Sequence, residues 1–201
     1  SWATLGARTM GVDFDENAIQ RANFLTQAKG LDARFLRADI FKLPEILPQT
    51  FDIVYTAYGV LYWLKDLQAW GQLVAHYLAP GGIFYLVDFH PTANLLDEEV
   101  DIHNPQPPQV RYPYKHLPYQ HHSTKQARPP FEYRGTLVWN YALSDILNAL
   151  IAAGLHITHV HEQDAMFARR FEQMEQDQQG LWRWRDPDYH IPLLFSVRAT
   201  H

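Results

Sequence analysis

The apolar positions of this chain recur in two rhythms, and the switches between them outline a layered fold. Residues 9–13 (TMGVD) form a short apolar run that reads as a buried strand. Asp15 then stands where a helix N-cap belongs, Ile19, Ala22, Leu25 and Ala28 recur at helical spacing, and Gly30 supplies the stop. A second strand is expected over 33–37 (ARFLR), leading into Ala38-Asp39-Ile40, and a third over 51–55 (FDIVY). Residues 56–64 read as a loop or short helix. Leu67, Trp70, Leu73, Val74, Tyr77 and Leu78 lie on one helical stripe, which Pro80-Gly81-Gly82 ends. A fourth strand is expected over 83–89 (IFYLVDF), closed by His90-Pro91. Strand and helix signals alternating in this way predict an α/β fold, with right-handed crossovers, a parallel sheet and helices on both faces.

The rhythm fails over residues 104–134, where proline and tyrosine dominate and neither period survives. A stretch of that length without regular elements is usually functional. A helix capped by Ser144 and stopped at Gly154 follows, carrying Ile146, Leu147, Leu150 and Ile151. Two more strands are expected over 156–161 and 193–199. Between them, the polar stretch 172–180 reads as a solvated helix or loop. With no internal repeat and no domain boundary, the economical reading is one domain over 1–201 with a cap inserted over about 91–140.

Composition narrows the function classes. The chain has 201 residues, 47% hydrophobic and 19% charged, as expected of an ordinary globular domain. A formal charge of −5 argues against nucleic acid or an anionic membrane surface as partner. Zero cysteines exclude disulfides and thiolate chemistry and fit a reducing, cytoplasmic setting. No apolar run approaches the ~20 residues of a membrane span. The chain opens on Ser1 and not on Met, so its start is expected to be a cut edge, a processed end or the edge of a trimmed fragment.

In open α/β sheets, ligands bind beyond the carboxyl ends of the strands. The residues there are Asp13, Phe14, Asp39, Ile40, those from Thr56 to Gly59, and those from Asp88 to Pro91. A carboxylate only accepts hydrogen bonds, so one can take both hydroxyls of a ribose and a second can take an exocyclic amine. The competing reading of Asp13 is a turn residue. His90 is the best-placed general base, its alternative being a loop anchor bonded to backbone. Tyr58 and Tyr62 are expected to line the substrate site or to pack beneath the cap. Tyr112, Tyr114, Tyr119, Phe131 and Tyr133 would form a lid over an apolar or aromatic substrate, and equally suit an interface with a second copy of the chain. His121-His122 point apart on extended chain. His159 and His161 share a strand face without a third ligand, so no metal is expected.

Four short motifs, in order, carry a resemblance. Residues 7–13 (ARTMGVD), 37–40 (RADI), 51–55 (FDIVY) and 78–82 (LAPGG) resemble the acid-ended strand, acidic loop, FDxV strand and LxPGG turn of class I S-adenosylmethionine-dependent methyltransferases. The resemblance implies a Rossmann-like sheet of order 3-2-1-4-5-7-6 with the seventh strand antiparallel. It implies S-adenosylmethionine as cofactor, with ribose at Asp13 and Phe14, adenine at Ala38, Asp39 and the Ile40 N–H, and the methionine end at Thr56 and Ala57. Thr56-Ala57-Tyr58-Gly59 stands where amino-methylating relatives carry an Asn/Asp-Pro-Pro-Tyr motif, so the acceptor is expected to be a small molecule. The family's glycine-rich loop lies about 20 residues before the acid, and only twelve residues precede Asp13. The first strand is therefore expected to be missing from this chain, leaving a gap between the strands ending at Asp13 and Tyr55. Two rivals remain at this point. One is a nicotinamide-dependent oxidoreductase, and the other a non-catalytic cofactor-binding or interaction module on the same fold.

Overall fold

The computed structural model describes residues 2–97, 107–114, 118–121 and 136–201. They divide into two units, Ser1–Gln49 and Thr50–His201.

In the first unit, a 3-10 turn at Trp2–Leu5 leads into β1 (Thr9–Asp13), α1 (Glu16–Lys29) and β2 (Ala33–Arg37). A 3-10 turn at Ile40–Lys42 and the single turn α2 (Leu43–Ile46) follow. The strands pair in parallel, from Thr9 opposite Ala33 to Asp13 opposite Arg37. Gly11 lies opposite Phe35, and any Cβ there would collide with the ring. Both ends of α1 are fixed as the residue types predict. Asp15 accepts from the Asn17 N–H, and Gly30 turns left-handed at φ 59°, a conformation a Cβ resists. The apolar stripe fares less well, because Ile19 and Ala22 are only half-buried while Leu25 and Ala28 are exposed. A sheet of two strands offers too narrow a face to cover a helix of four turns.

The second unit carries β3 (Phe51–Ala57), a 3-10 turn at Leu61–Trp63, α3 (Leu67–Tyr77) and β4 (Leu78–Phe89). After a 3-10 turn at Ala93–Leu95 come β5 (Pro118–His121), β6 (Thr136–Trp139), α4 (Leu143–Ala152), β7 (His156–Gln163), β8 (Ala165–Met166), β9 (Met174–Gln176), β10 (Trp182–Trp184) and β11 (Leu194–Thr200). The main sheet runs β3-β4-β11-β7. β3 and β4 are parallel, whereas β11 is antiparallel to both its neighbours. This is the order expected for these four strands. Its core is Phe84, Leu86, Phe195 and Val197, fully buried, with Trp70 edge-on to Phe84 at 5.8 Å. Helices α3 and α4 meet at Gly71, where a Cβ would lie 2.5 Å from the Ala149 carbonyl oxygen. Only glycine lets the two backbones approach so closely.

Four expectations are corrected. The helix before Pro80-Gly81-Gly82 ends at Tyr77, and that triplet is an irregularity inside β4, where the register with β3 shifts between Phe51 and Ile53. Gly81 adopts φ +76°, and a Cβ on Gly82 would sit 2.8 Å from the Ala79 carbonyl oxygen. α4 starts earlier than Ser144, because Asp145 reaches back to accept the Ala142 N–H at 3.1 Å. The stretch expected to be solvated helix or loop forms part of an antiparallel sheet, β8-β10-β9. Met174 is buried there, and Phe171 stacks on Trp184 at 5.0 Å. The segment expected to be irregular holds β5, paired antiparallel with β6 from Pro118–Trp139 to His121–Thr136. Phe131, Tyr133 and His122, with the side chains of Tyr119 and His121, lie outside the described residues. Among the described residues, no helix is long and apolar enough to cross a membrane.

Candidate functional site

In the first unit, both predicted carboxylates stand at the carboxyl ends of the parallel pair. Asp13 ends β1, and its Oδ1 accepts the Asp15 N–H at 2.9 Å. Asp39, two residues past β2, accepts the Phe41 N–H at 3.0 Å and caps the turn that begins at Ile40. Each carboxylate is exposed and spends one oxygen on its own turn. The other oxygen of each makes no hydrogen bond among the described residues, so turn-forming and ligand-binding readings are compatible. Arg37 fixes the surroundings, donating to the Phe14 carbonyl at 3.2 Å and to Glu16 at 3.0 Å. Phe14 is exposed, and Ala38 and Ile40 are half-buried beside Asp39.

In the second unit, the loop after β3 is held by a carboxylate from β4. Thr56 and Ala57 are the last residues of β3, and the Tyr58 N–H continues the pairing by donating to the Val87 carbonyl at 2.9 Å. Tyr58 then takes φ 55°, unfavourable for a side chain of its size, and Gly59 takes φ 92°. Asp88, 2% exposed, holds this turn: it accepts the N–H groups of Gly59 at 2.6 Å, Phe89 at 2.7 Å and Leu61 at 3.3 Å. Burial pushes its carboxyl up from the ordinary range, while those three N–H groups and the nearby Arg170 charge pull the other way. The Tyr58 ring meets Phe167 edge-on at 4.7 Å.

Tyr62 is half-buried and lines a small cavity with Asp88, Phe89, Trp139, Asn140 and Tyr141. Segment 107–114 is tied to the chain just after β4. The N–H groups of Arg111 and Tyr112 donate to the Leu95 carbonyl at 2.8 and 3.0 Å, and the Asn140 amide donates to the Pro113 carbonyl at 2.9 Å. Tyr112 is half-buried beneath the Arg111 guanidinium, and Tyr114 is exposed.

His90 takes the anchoring arrangement. It is 3% exposed, and its Nδ1 accepts the Thr92 N–H at 3.1 Å, which makes Nε2 the proton carrier toward Glu162 at 2.8 Å. Its backbone N–H donates to the Leu193 carbonyl at 3.0 Å. Burial lowers its pKa, against the pull of Glu162. Both ring nitrogens are thus engaged within the fold. The rings of His159 and His161 lie 5.9 Å apart, and no third ligand joins them among the described residues.

Two features carry no mark in the sequence. Asp88 was visible as a strand-end position, but its grip on a turn 27–29 residues upstream was not. Asn140, 1% exposed between Trp139 and Tyr141, had only a polar letter among aromatic ones to mark it.

A family model described as a methyltransferase domain matches residues 3–135. The chain belongs to the methyltransferase domain family. Demethylmenaquinone methyltransferase of Thermus thermophilus is 37% identical to this methyltransferase domain over 87 residues, 43% of this chain and 38% of the relative. The chain thus spans well under half the length of that relative. Among solved structures, one from Listeria monocytogenes superposes with a TM-score of 0.69 at 16% identity, over 98% of this chain and 82% of the other. An S-adenosylmethionine-dependent methyltransferase from Mesorhizobium loti gives 0.65 at 24% identity, over 100% and 84%. At such identities the likeness speaks for a Rossmann-like methyltransferase fold.

Proposed function

We propose that this methyltransferase domain uses S-adenosylmethionine to methylate a small-molecule acceptor. The observation that carries the reading is the parallel pair β1–β2, which presents Asp13 and Asp39 at the same end, each with one oxygen uncommitted. Such a pair fits the cofactor's nucleoside. Asp13 would accept from the ribose hydroxyls, and Asp39 would accept from the adenine amine while the Ile40 N–H donates to the ring. Phe14 and Ala38 flank these contacts, and Thr56 and Ala57 at the end of β3 would meet the methionine part. When bound, S-adenosylmethionine supplies a methyl group on a sulfonium, open to in-line attack.

The residues of this chain contribute orientation more than proton transfer. Asp88 fixes the turn that carries Tyr58 and Tyr62, which would line the acceptor side together with Tyr112 and Tyr114. His90 fixes the end of β4 and is read as a positioning residue. An acceptor that attacks as a neutral lone pair needs no general base.

Calorimetry on the full-length protein tests this reading. S-adenosylhomocysteine should bind and NAD should not. Asp13→Ala should weaken binding by ~2 kcal/mol or more, since it strips acceptors from two hydroxyls. Unchanged affinity would remove Asp13 from the site.

A further inference from the structure

Asn140 joins β6 to α4 and is 1% exposed. Its Nδ2 donates to the Pro113 carbonyl at 2.9 Å, and that bond assigns the two ends of the amide. The other end, Oδ1, is buried and has no hydrogen-bond partner among the described residues. Buried acceptors are nearly always paired, so an unpaired one marks a place for something. Here the place exists: Asn140 lines the cavity at the carboxyl end of β4, which has room for about one water-sized group. Asp88 lines it too. Three N–H groups occupy part of its carboxylate, whose two oxygens offer about four lone-pair positions. The remaining walls mix the aromatic Tyr62, Phe89, Trp139 and Tyr141 with the aliphatic Leu61, Pro91 and Ile146 and the polar Asn94. Tyr141 is itself pinned, its hydroxyl donating to the Leu64 carbonyl at 2.6 Å.

We propose that the Asn140 amide oxygen is the polar anchor for the methyl acceptor, receiving a hydrogen bond from one of its N–H or O–H groups seated in the cavity shared with Asp88, Tyr62 and Trp139. This rests on the methyltransferase reading and adds the acceptor's chemical class: a molecule that places one hydroxyl or amine group, no larger than a water, in the cavity and keeps its frame outside it. A site that offers a buried acceptor discriminates sharply against analogues lacking the donor, because the acceptor is then left unpaired.

The test uses the full-length protein with three probes that share a ring: phenol, benzylamine and toluene. Binding is followed by NMR on the Asn140 side-chain amide signal, assigned by its loss in Asn140→Asp. Phenol or benzylamine should bind at least about tenfold more tightly than toluene, and the tighter of the two identifies a hydroxyl or an amine acceptor. Asn140→Leu should abolish this preference while holding S-adenosylhomocysteine affinity within about threefold. Equal binding of the three probes to the wild-type protein would overturn the subsite, and that comparison stands even if the Leu variant fails to fold. So would a preference that survives in a folded Asn140→Leu. A wild-type protein that keeps the donor preference but never binds S-adenosylhomocysteine would instead sink the methyltransferase reading alone.

Discussion

The two units are built on different economies of burial. In the second, β3, β4, β11 and β7 enclose Phe84, Leu86, Phe195 and Val197 completely. In the first, Leu43 is the one hydrophobic side chain buried among the described residues, while Phe14 is 69%, Phe24 70% and Leu5 80% exposed. Yet the first unit is no less regular. Its helix has a side-chain cap and a left-handed stop, and its strands keep register over five residues. What holds it is capping and turn hydrogen bonds between residues a few apart, the pairing of two strands, and the reach of Arg37 to Phe14 and Glu16. The comparison shows that the first motif is defined by caps and strand pairing and not by burial within its own unit. Its stability and its legibility then come from different sources.

The largest contrast should come from removing one ring in each unit. Phe195→Ala takes away a fully buried side chain and should cost about 3–5 kcal/mol in urea-induced unfolding. Phe24→Ala, on exposed α1, should stay within about 0.5 kcal/mol. Similar losses at the two sites would break the comparison.

A smaller contrast separates two glycines. Gly71→Ala places a Cβ 2.5 Å from the Ala149 carbonyl, so α3 and α4 must move apart, at about 1–3 kcal/mol. Gly30→Ala meets nothing within 4 Å and should cost only its left-handed backbone strain, about 1 kcal/mol. Thermal unfolding of the two variants would rank them. The reverse order would show that backbone strain outweighs helix contact here.

The smallest effect is a pH dependence confined to the second unit. His90 is kept neutral by burial, so its folded pKa lies below 6.5. Below pH 6.5 the unfolded chain takes up that proton before the folded one does. The contribution of His90 is therefore complete above pH 6.5 and is lost as pH falls through the folded value. The stability difference between wild type and His90→Gln should shrink along that course, and amide exchange in α1 should not follow it. A difference that grows as pH falls would show that Glu162, not burial, dominates this histidine.

Much of the fold was legible because it is written in single residues with local duties. Asp15 and Gly30 bound α1, Asp39 caps its turn, and both predicted carboxylates stand at strand ends. The rest depends on partners far apart in sequence. Nothing near Asp88 announces that it will hold the N–H groups of Gly59 and Leu61, and no period marks Asn140 as buried. β9 and β10 have three residues each, too few for alternation to register, so Met174 and Trp184 gave no warning of a shared core. The Pro80-Gly81-Gly82 triplet marks an interruption without saying of which element, since a helix stop and a strand irregularity both call for glycine.

The hold of Asp88 on the turn after β3 also has a consequence for inheritance. A carboxylate on one strand dictates the backbone of a loop on another, so the two must travel together when sequences diverge or are recombined. A chimera that imports a relative's loop in place of residues 58–62 would also have to import that relative's residue at position 88. Otherwise a buried charge would face a backbone that no longer offers it N–H groups. Divergence at this point would then proceed as paired changes in loop and strand end, with neither drifting alone.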